Sequence, residues 1–108
     1  MLYELRTYHA MPGKLAALVK RFETTTIHLF EKHGIKQVGF WTTAIGESNQ
    51  DLIYILKWDS LDDRAKRFAA FQQDPEWVSA RAKSEADGPL VASLQNQILA
   101  PTAFSALK

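Results

Sequence analysis

The sequence predicts an α+β fold of the ferredoxin-like type, with elements in the order βαββαβ and an antiparallel sheet that carries both helices on one face. Four segments have the composition of strands: 2–9, 38–43, 52–58 and 90–99. Two helical stretches alternate with them, one from Leu15 to His33 and one that begins after Ser60. A length of 108 residues predicts a single domain spanning 1–108.

The first strand and first helix have readable boundaries. Pro12-Gly13 ends the strand Leu2–His9, since both residues favour turns. The helix that follows carries one stripe at helical spacing: Leu15, Leu18, Val19, Phe22, Thr26, Leu29, Phe30 and His33. Gly34 then occupies the position after a helix where a left-handed backbone is common.

The second half of the chain shows similar signals. Residues 45–50 form the turn of a hairpin, and Ser60 with Asp63 resembles a capping pair at a helix start. Asp74 and Pro75 suit the N-cap and first position of a further helix. Gly88-Pro89 ends that helix and precedes the last strand, Leu90–Leu99.

Composition narrows the class of partner and compartment. Thirteen basic and twelve acidic residues leave a net charge of +1, so we expect neither nucleic-acid nor membrane-surface binding. The chain has no cysteine, no basic start followed by an apolar run, and no stretch of about 18 apolar residues. We therefore expect a protein of the cytoplasm without disulfides.

The hairpin strands predict a second copy of the chain. Residues 52–58 are apolar at odd and even positions alike, so both faces of that strand favour burial. Because a domain of this size covers only one face of its sheet with its own helices, we expect a homodimer. Trp41, Leu56 or Trp58 is expected in its interface.

Strand alternation separates two sets of residues in the first strand. Glu4, Arg6 and Tyr8 share one face, whereas Tyr3, Leu5 and Thr7 share the other. We expect the second set to pack on the helices and the first set to line a cavity of mixed polarity rather than a solvated face.

The hairpin strand leaves one question of phase open. Either Tyr54 and Trp58 share the face of Arg6, or Ile53 and Ile55 do. Both alternatives bring apolar area beside the charged groups of the first strand.

The common catalytic signatures are absent. Gly13-Lys14 lacks the remainder of a P-loop, and Gly46-Glu47-Ser48-Asn49-Gln50 lacks the second glycine of a nucleophile elbow. His28 and His33 are five positions apart on one helix and do not share a face as metal ligands would. We expect no metal site and no cofactor.

Arg64 has two interpretations. No carboxylate lies three or four residues before it, and it flanks the apolar stripe of its helix. The simpler interpretation, which we favour, lays its methylenes on the core and its charged head in water. The alternative is a buried tertiary ion pair or a contact with a ligand.

These residues together resemble the NIPSNAP family over nearly the whole chain. The matching segments are Tyr3-Glu4-Leu5-Arg6-Thr7-Tyr8, Pro12-Gly13-Lys14, Gly34, Gly39-Phe40-Trp41-Thr42, Ile45-Gly46, Trp58-Asp59-Ser60-Leu61, Arg64, Phe71, Asp74-Pro75-Glu76-Trp77, Asn96, Leu99 and Pro101-Thr102. The resemblance implies a dimeric α+β barrel, in which two ferredoxin-like sheets join, and a family without a settled activity. It also implies kinship with cofactor-independent monooxygenases, haem-degrading enzymes and small isomerases.

One segment departs from the family pattern. Many members read His-Leu-Trp-Arg-Tyr where this chain has Tyr54-Ile55-Leu56-Lys57-Trp58. Chemistry that depends on that histidine is therefore in doubt for this chain.

Three classes of function follow from these observations. The first is binding of a small, partly apolar molecule in the barrel cavity, with contacts from Glu4, Trp41, Tyr54, Trp58 and Arg64. The second is a cofactor-independent monooxygenase or isomerase that stabilises an enolate-like anion, with catalytic residues Arg6, Tyr8 and His9. The third is a structural or regulatory dimer whose interface is fully packed.

Single-stranded RNA binding is a fourth class that the sequence disfavours. Gly39-Phe40-Trp41 superficially resembles an RNA-binding motif of ferredoxin-like domains. Val38 stands where that motif has a basic residue, and the net charge of the chain offers little counterion release.

Overall fold

A computed structural model describes residues 1–108 and confirms the α+β ferredoxin-like fold. The elements in chain order are β1 (Leu2–Ala10), α1 (Leu15–Arg21), a π-helical segment (Phe22–Thr26), α2 (Ile27–Lys32), β2 (Lys36–Thr42), β3 (Asp51–Trp58), α3 (Leu61–Gln73), α4 (Pro75–Ser84) and β4 (Val91–Leu99). The strands form one antiparallel sheet in the order β2-β3-β1-β4.

The helix boundaries follow the local chemistry expected of them. Gly34 has a φ of 68° directly after α2, which a residue with a side chain rarely adopts. The Ser60 hydroxyl accepts a hydrogen bond from the Asp63 amide at 3.0 Å and caps α3. The Asp74 carboxylate accepts from the Glu76 amide at 2.9 Å and caps α4.

The first helical stretch contains a π-helical segment that its apolar pattern did not predict. The Thr24 hydroxyl donates to the Lys20 carbonyl at 2.8 Å, and the Thr26 hydroxyl donates to the Arg21 carbonyl at 3.4 Å. Such hydroxyls compete with the helical amides for backbone carbonyls. The wider turn allows the consecutive residues Arg21 and Phe22 both to be buried.

Strand pairing reverses the predicted faces of β1. Glu4 pairs with Leu56 and Arg6 pairs with Tyr54, and those two β3 residues are fully buried under the helices. The expectation that Tyr3, Leu5 and Thr7 pack on the helices was therefore wrong. Tertiary partners that are remote in sequence make it possible to bury the charged set.

Aromatic side chains join the helices to this covered face of the sheet, which carries Glu4, Arg6, Tyr8, Tyr54, Leu56 and Trp58. The Phe22 ring lies 5.7 Å from Tyr8 and 5.3 Å from Tyr54 between centroids. The Phe68 ring of α3 lies 5.2 Å from Trp58. The hydrophobic core therefore occupies the space between these helices and the covered face.

The molecule is a slab of two layers, 45 × 36 × 19 Å along its principal axes. The opposite side of the sheet, here called the open face, carries Leu5, Thr7, Trp41, Ile53 and Ile55. Its Trp41 is 49% exposed, whereas Leu56 and Trp58 are buried under the helices. Leu56 and Trp58 therefore cannot contribute to the expected dimer interface. Trp41 is exposed and remains available for one. None of the helices has the length and apolar character that crossing a bilayer requires.

Candidate functional site

Glu4 is the centre of a hydrogen-bonded network on the covered face. Its side chain is fully buried and accepts five hydrogen bonds. The Arg64 guanidinium donates to both carboxylate oxygens, at 2.8 and 3.0 Å. The Trp58 indole, the Arg6 guanidinium and the Asn96 amide supply the other three bonds, at 3.0, 2.8 and 2.9 Å. All the neighbours of the carboxylate are thus donors.

These donors decide the protonation state of Glu4. Burial alone would raise the pKa of this carboxyl, because it disfavours the charged form. Hydrogen bonds from Arg64, Asn96 and Arg6 overcome that effect and lower the pKa from 4.5 to about 2. Glu4 therefore remains a carboxylate at neutral pH and does not act as a proton donor or acceptor.

Arg6 connects Glu4 to a pair of tyrosines. Its Nε donates to the Tyr54 hydroxyl at 2.8 Å, and its Nη2 donates to the Tyr8 hydroxyl at 3.1 Å. The Tyr54 hydroxyl donates in turn to the Tyr8 hydroxyl at 3.0 Å. Since Tyr8 accepts from both groups, its own proton is left to donate to a further acceptor.

Burial shapes the ionisation of this chain of donors. Burial raises the pKa of Tyr54 well above 10, because a phenolate would be desolvated there. Burial alone would lower the pKa of Arg6, but its interactions with Tyr54, Tyr8 and Glu4 raise the pKa instead. Arg6 is therefore a fixed positive charge, and Tyr54 remains in the hydroxyl form at neutral pH.

A cavity of about 740 Å³ lies beside this network, between β1 and β4 on one side and the helices on the other. Its size falls within the range of small-molecule sites. The cavity is lined by Arg6, Tyr8, Arg21, Gln72, Trp77, Arg81, Glu85, Pro89, Val91, Ser93 and Leu94. Four of the eleven lining residues are hydrophobic, so a minority of apolar side chains and a majority of polar and charged ones meet in one concave space.

The far wall of this pocket carries two further guanidinium groups. Glu85 lies between Arg21 and Arg81, with N–O distances of 3.6 and 3.5 Å. The Arg21 guanidinium lies 5.3 Å from the centre of the Trp77 ring, within cation–π range. Arg6 and Arg64 pair with Glu4, and Arg21 and Arg81 pair with Glu85. Four guanidinium groups therefore share two carboxylates.

A second cavity of about 240 Å³ differs in chemistry. Five of its six lining residues are hydrophobic, among them Phe22, Phe40 and Leu52. Glu23 is its single charged residue. Because it offers few groups that orient a ligand, the larger pocket is the stronger candidate site.

The structure brings together six of the eight residues selected from the sequence. Tyr54, Trp58 and Arg6 share one face, which answers the question of phase left open by the sequence. Tyr54 and Trp58 lie behind the pocket wall and position Arg6 and Glu4, whereas Arg6 and Tyr8 line the pocket itself. Arg64 forms the buried tertiary ion pair with Glu4, so the simpler interpretation of a solvated head was wrong.

His9 and Trp41 lie away from this group. His9 pairs with Asp51 across the strands, with its Nδ1 at 2.7 Å from a carboxylate oxygen, and alternation places it on the side opposite Arg6 and Tyr8. The proposed role of His9 as a base beside those two residues is therefore corrected. Trp41 packs its ring over Gly39 on the open face, where an added Cβ would lie 2.8 Å from the indole.

The sequence analysis did not select several residues of the site, among them Asn96, Arg21, Trp77, Arg81 and Glu85. Arg21 carried a usable signal. It flanks the apolar stripe of its helix, and no carboxylate lies three or four residues away on either side. The same criterion singled out Arg64. Asn96 gave no such signal, since its contact with Glu4 spans 92 positions. No group of three or more potential metal ligands forms.

Comparison of this chain with known proteins identifies a family that it matches. The NIPSNAP profile matches residues 3–106. Human NipSnap homolog 3A is 34% identical over 109 residues, which cover 99% of this chain and 42% of the human protein. The chain thus spans less than half the length of the curated relatives that it matches.

Solved structures agree with that assignment. Protein Atu4242 from Agrobacterium tumefaciens is 35% identical, covers both chains fully and superposes with a TM-score of 0.87. A NIPSNAP family protein from the same organism, Atu5224, is 29% identical over 99% of this chain and 98% of its own, with a TM-score of 0.88.

A more distant structure shares the fold alone. It is a candidate antibiotic biosynthesis monooxygenase from Nitrosomonas europaea, 11% identical over 94% of this chain and 98% of its own, with a TM-score of 0.63. The profile match and the close structural relatives lead to one conclusion: the chain belongs to the NIPSNAP family.

Proposed function

We propose that this protein is a homodimer whose subunits each bind a small, partly apolar molecule in the pocket between the sheet and the helices. The observation that carries the proposal is the 740 Å³ cavity with Arg6 and Tyr8 in its wall. This location differs from the sequence-based expectation of a cavity between two sheets, because the charged face of β1 lies under the helices of its own chain.

The lining supports binding of a molecule with both apolar and polar parts. Trp77, Val91 and Leu94 provide apolar surface. The Tyr8 hydroxyl provides a donor whose orientation is fixed by the two hydrogen bonds that it accepts. Pockets of this kind gain affinity from apolar contact and specificity from a few placed polar groups.

The open face supports the homodimer. The chain exposes 6881 Å² of accessible surface, whereas a compact monomer of its mass exposes roughly 6,100 Å². The excess is roughly the 800 Å² that each partner buries in a standard interface. Leu5, Ile53 and Ile55 would be buried if two open faces packed together as sheets do. The absence of cysteine keeps the cytoplasm as the proposed compartment.

Fluorescence of N-phenyl-1-naphthylamine, a neutral apolar probe, tests binding in the pocket. We expect enhanced emission with the wild-type protein and at least a tenfold weaker affinity in Leu94→Trp, which fills the pocket. Val78→Trp is the matched control, because Val78 is exposed on α4 and does not line the pocket. Equal binding by all three proteins would rule out this pocket as the site.

The second candidate function is stabilisation of an enolate-like anion during oxygenation or isomerisation. The Tyr8 hydroxyl and the fixed charge of Arg6 favour it, since developing negative charge needs such groups nearby. A base is missing from the pocket, because its one carboxylate, Glu85, is paired with Arg21 and Arg81. We therefore rank ligand binding above turnover.

Oxygen consumption with a panel of quinols separates the two functions. Turnover that falls by at least about a hundredfold in Tyr8→Phe, with probe affinity retained, would support the enzymatic role. The ligand-binding proposal expects no turnover above the rate without protein, in wild type and variant alike.

A further inference from the structure

The two arginines that line the far wall of the pocket are only loosely paired. Arg21 and Arg81 both pair with Glu85, at distances beyond the usual hydrogen-bond range of about 2.7–3.2 Å. Arg6, at the other end, shares Glu4 with Arg64, and its guanidinium nitrogens already donate to Glu4, Tyr54 and Tyr8. The excess at the Arg21 end is therefore one positive charge.

Arg21 is also short of hydrogen-bond acceptors. Its residue is 8% exposed, and its Nε has no hydrogen-bond partner. Its Nη1 donates to the Ser84 hydroxyl at 3.2 Å. Burial lowers the pKa of this guanidinium, and the nearby Glu85 opposes that effect. A buried donor without an acceptor is destabilising, so Arg21 holds hydrogen-bonding capacity that the fold leaves unused.

The neighbourhood of Arg21 defines the rest of such a ligand. The Trp77 ring lies against the same guanidinium, packs on Phe71 with 4.9 Å between ring centres, and contributes apolar surface to the pocket wall. Val91 and Leu94 continue the apolar wall toward β1, where the free proton of Tyr8 is available. The distribution matches a flat apolar body with an anionic group at one end.

We infer that the pocket selects small aromatic monoanions, with a carboxylate held by Arg21 and Arg81 and the ring against Trp77. A single negative charge balances the one positive charge by which Arg21 and Arg81 exceed Glu85, and a carboxylate matches the planar fork of a guanidinium. This inference rests on the proposed function, because it specifies the ligand class of the same pocket.

Displacement of N-phenyl-1-naphthylamine by two matched competitors tests the inference. The competitors are 1-naphthoate and 1-naphthamide, which share ring and shape and differ in charge. We expect the wild-type protein to prefer naphthoate by at least about tenfold, as a charge-assisted hydrogen bond would give. Arg21→Met should abolish this preference by weakening the binding of naphthoate far more than that of naphthamide.

Arg81→Gln is a second variant, and it should fold normally because the Arg81 side chain is 61% exposed. It should reduce the preference for naphthoate several-fold, since the excess positive charge beside Glu85 is then lost. Lys83→Gln is the matched control, because Lys83 is exposed on the same helix and does not line the pocket.

The outcomes separate the two levels of the proposal. Equal displacement by both competitors in the wild-type protein would overturn selection of monoanions and leave the binding pocket intact. A preference that survives in both arginine variants would overturn the assignment to Arg21 and Arg81. Failure of the neutral probe itself to bind would remove the proposed function and this inference with it.

Discussion

The two faces of strand β1 differ in a way that inverts the usual pattern of a half-buried strand. On the covered face, Glu4, Arg6 and Tyr8 lie under the helices, and Glu4 is fully buried. On the open face, the apolar Leu5 lies beside Ile55 and no helix of the chain covers them. Charged and polar side chains of β1 thus point inward while Leu5 points outward, which departs from the pattern typical of antiparallel sheets.

The two faces therefore serve different purposes: the covered face holds a buried polar network, and the open face exposes apolar area. The covered face accommodates charge because Arg64, Trp58 and Asn96 bring donors to one carboxylate from other elements. The same arrangement leaves Arg6 and Tyr8 at a pocket wall. The open face carries a smaller polar group, His9 with Asp51, and offers apolar area at Leu5, Ile53 and Ile55, which suits assembly rather than ligand recognition.

Removal of the Glu4 carboxylate should destabilise the hydrogen-bonded network of the covered face. We expect Glu4→Gln to lower the free energy of unfolding by about 3–5 kcal/mol, because buried guanidinium groups lose their counter-charge. Urea unfolding followed by circular dichroism measures the loss. Glu23→Gln, on the exposed side of the π-helical segment, is the control and should change stability by less than about 1 kcal/mol. A similarly small change in Glu4→Gln would mean that the network contributes little to stability.

The pH dependence of stability provides a second test of the contribution of Glu4. The pKa of Glu4 is lowered from 4.5 to about 2 in the folded protein, so its stabilising effect is present above pH 4.5. It is lost as the pH falls from about 4.5 to about 2, and the loss amounts to about 3 kcal/mol. Asp74, whose pKa is also lowered by its hydrogen bonds to Lys32 and His33, contributes in the same direction.

Comparison with Glu4→Gln isolates the contribution of Glu4 to this acid sensitivity. The difference in unfolding free energy between wild type and variant should shrink between pH 5 and pH 2, while the contribution of Asp74 cancels. A difference that stays constant across that range would contradict the lowered pKa.

A charge placed on the open face should affect assembly more than folding. We expect Ile55→Arg to weaken the homodimer by at least about thirtyfold, as loss of a central apolar contact of about 2 kcal/mol would do. Sedimentation at micromolar concentration measures the association. Val78→Arg, on the outer side of α4, should leave it unchanged. A wild-type protein that sediments as a monomer would refute the assembly proposal itself.

The fold was predictable from local sequence signals, and the orientation of β1 was not. Ser60, Asp74 and Gly34 mark helix ends through contacts within a few residues, so their roles could be deduced from neighbouring positions. The burial of Glu4 depends on Arg64 and Asn96, which are 60 and 92 positions away.

The same limit explains which site residues were found. Arg6 and Tyr8 follow from strand alternation, once Glu4 is recognised as unusual. Residues 52–58 are apolar on both faces, so their pattern could not decide which face the helices cover. Trp77 and Arg81 reach the pocket through the packing of α4 on α3 and on the π-helical segment, which only the assembled structure reveals.

The three tryptophans of the chain report separately on the regions compared above. Trp77 lines the pocket, the Trp58 indole donates to Glu4, and Trp41 lies on the open face. Their indole N–H signals can be assigned in ¹H–¹⁵N spectra by replacing each residue with Phe.

Titration of these three signals with 1-naphthoate tests most directly whether the covered face binds the ligand. The account predicts that the Trp77 indole signal shifts progressively and saturably, that the Trp58 signal moves less, and that the Trp41 signal stays in place. A saturable shift of Trp41 with an unchanged Trp77 would contradict it, because the ligand would then lie on the open face of the sheet.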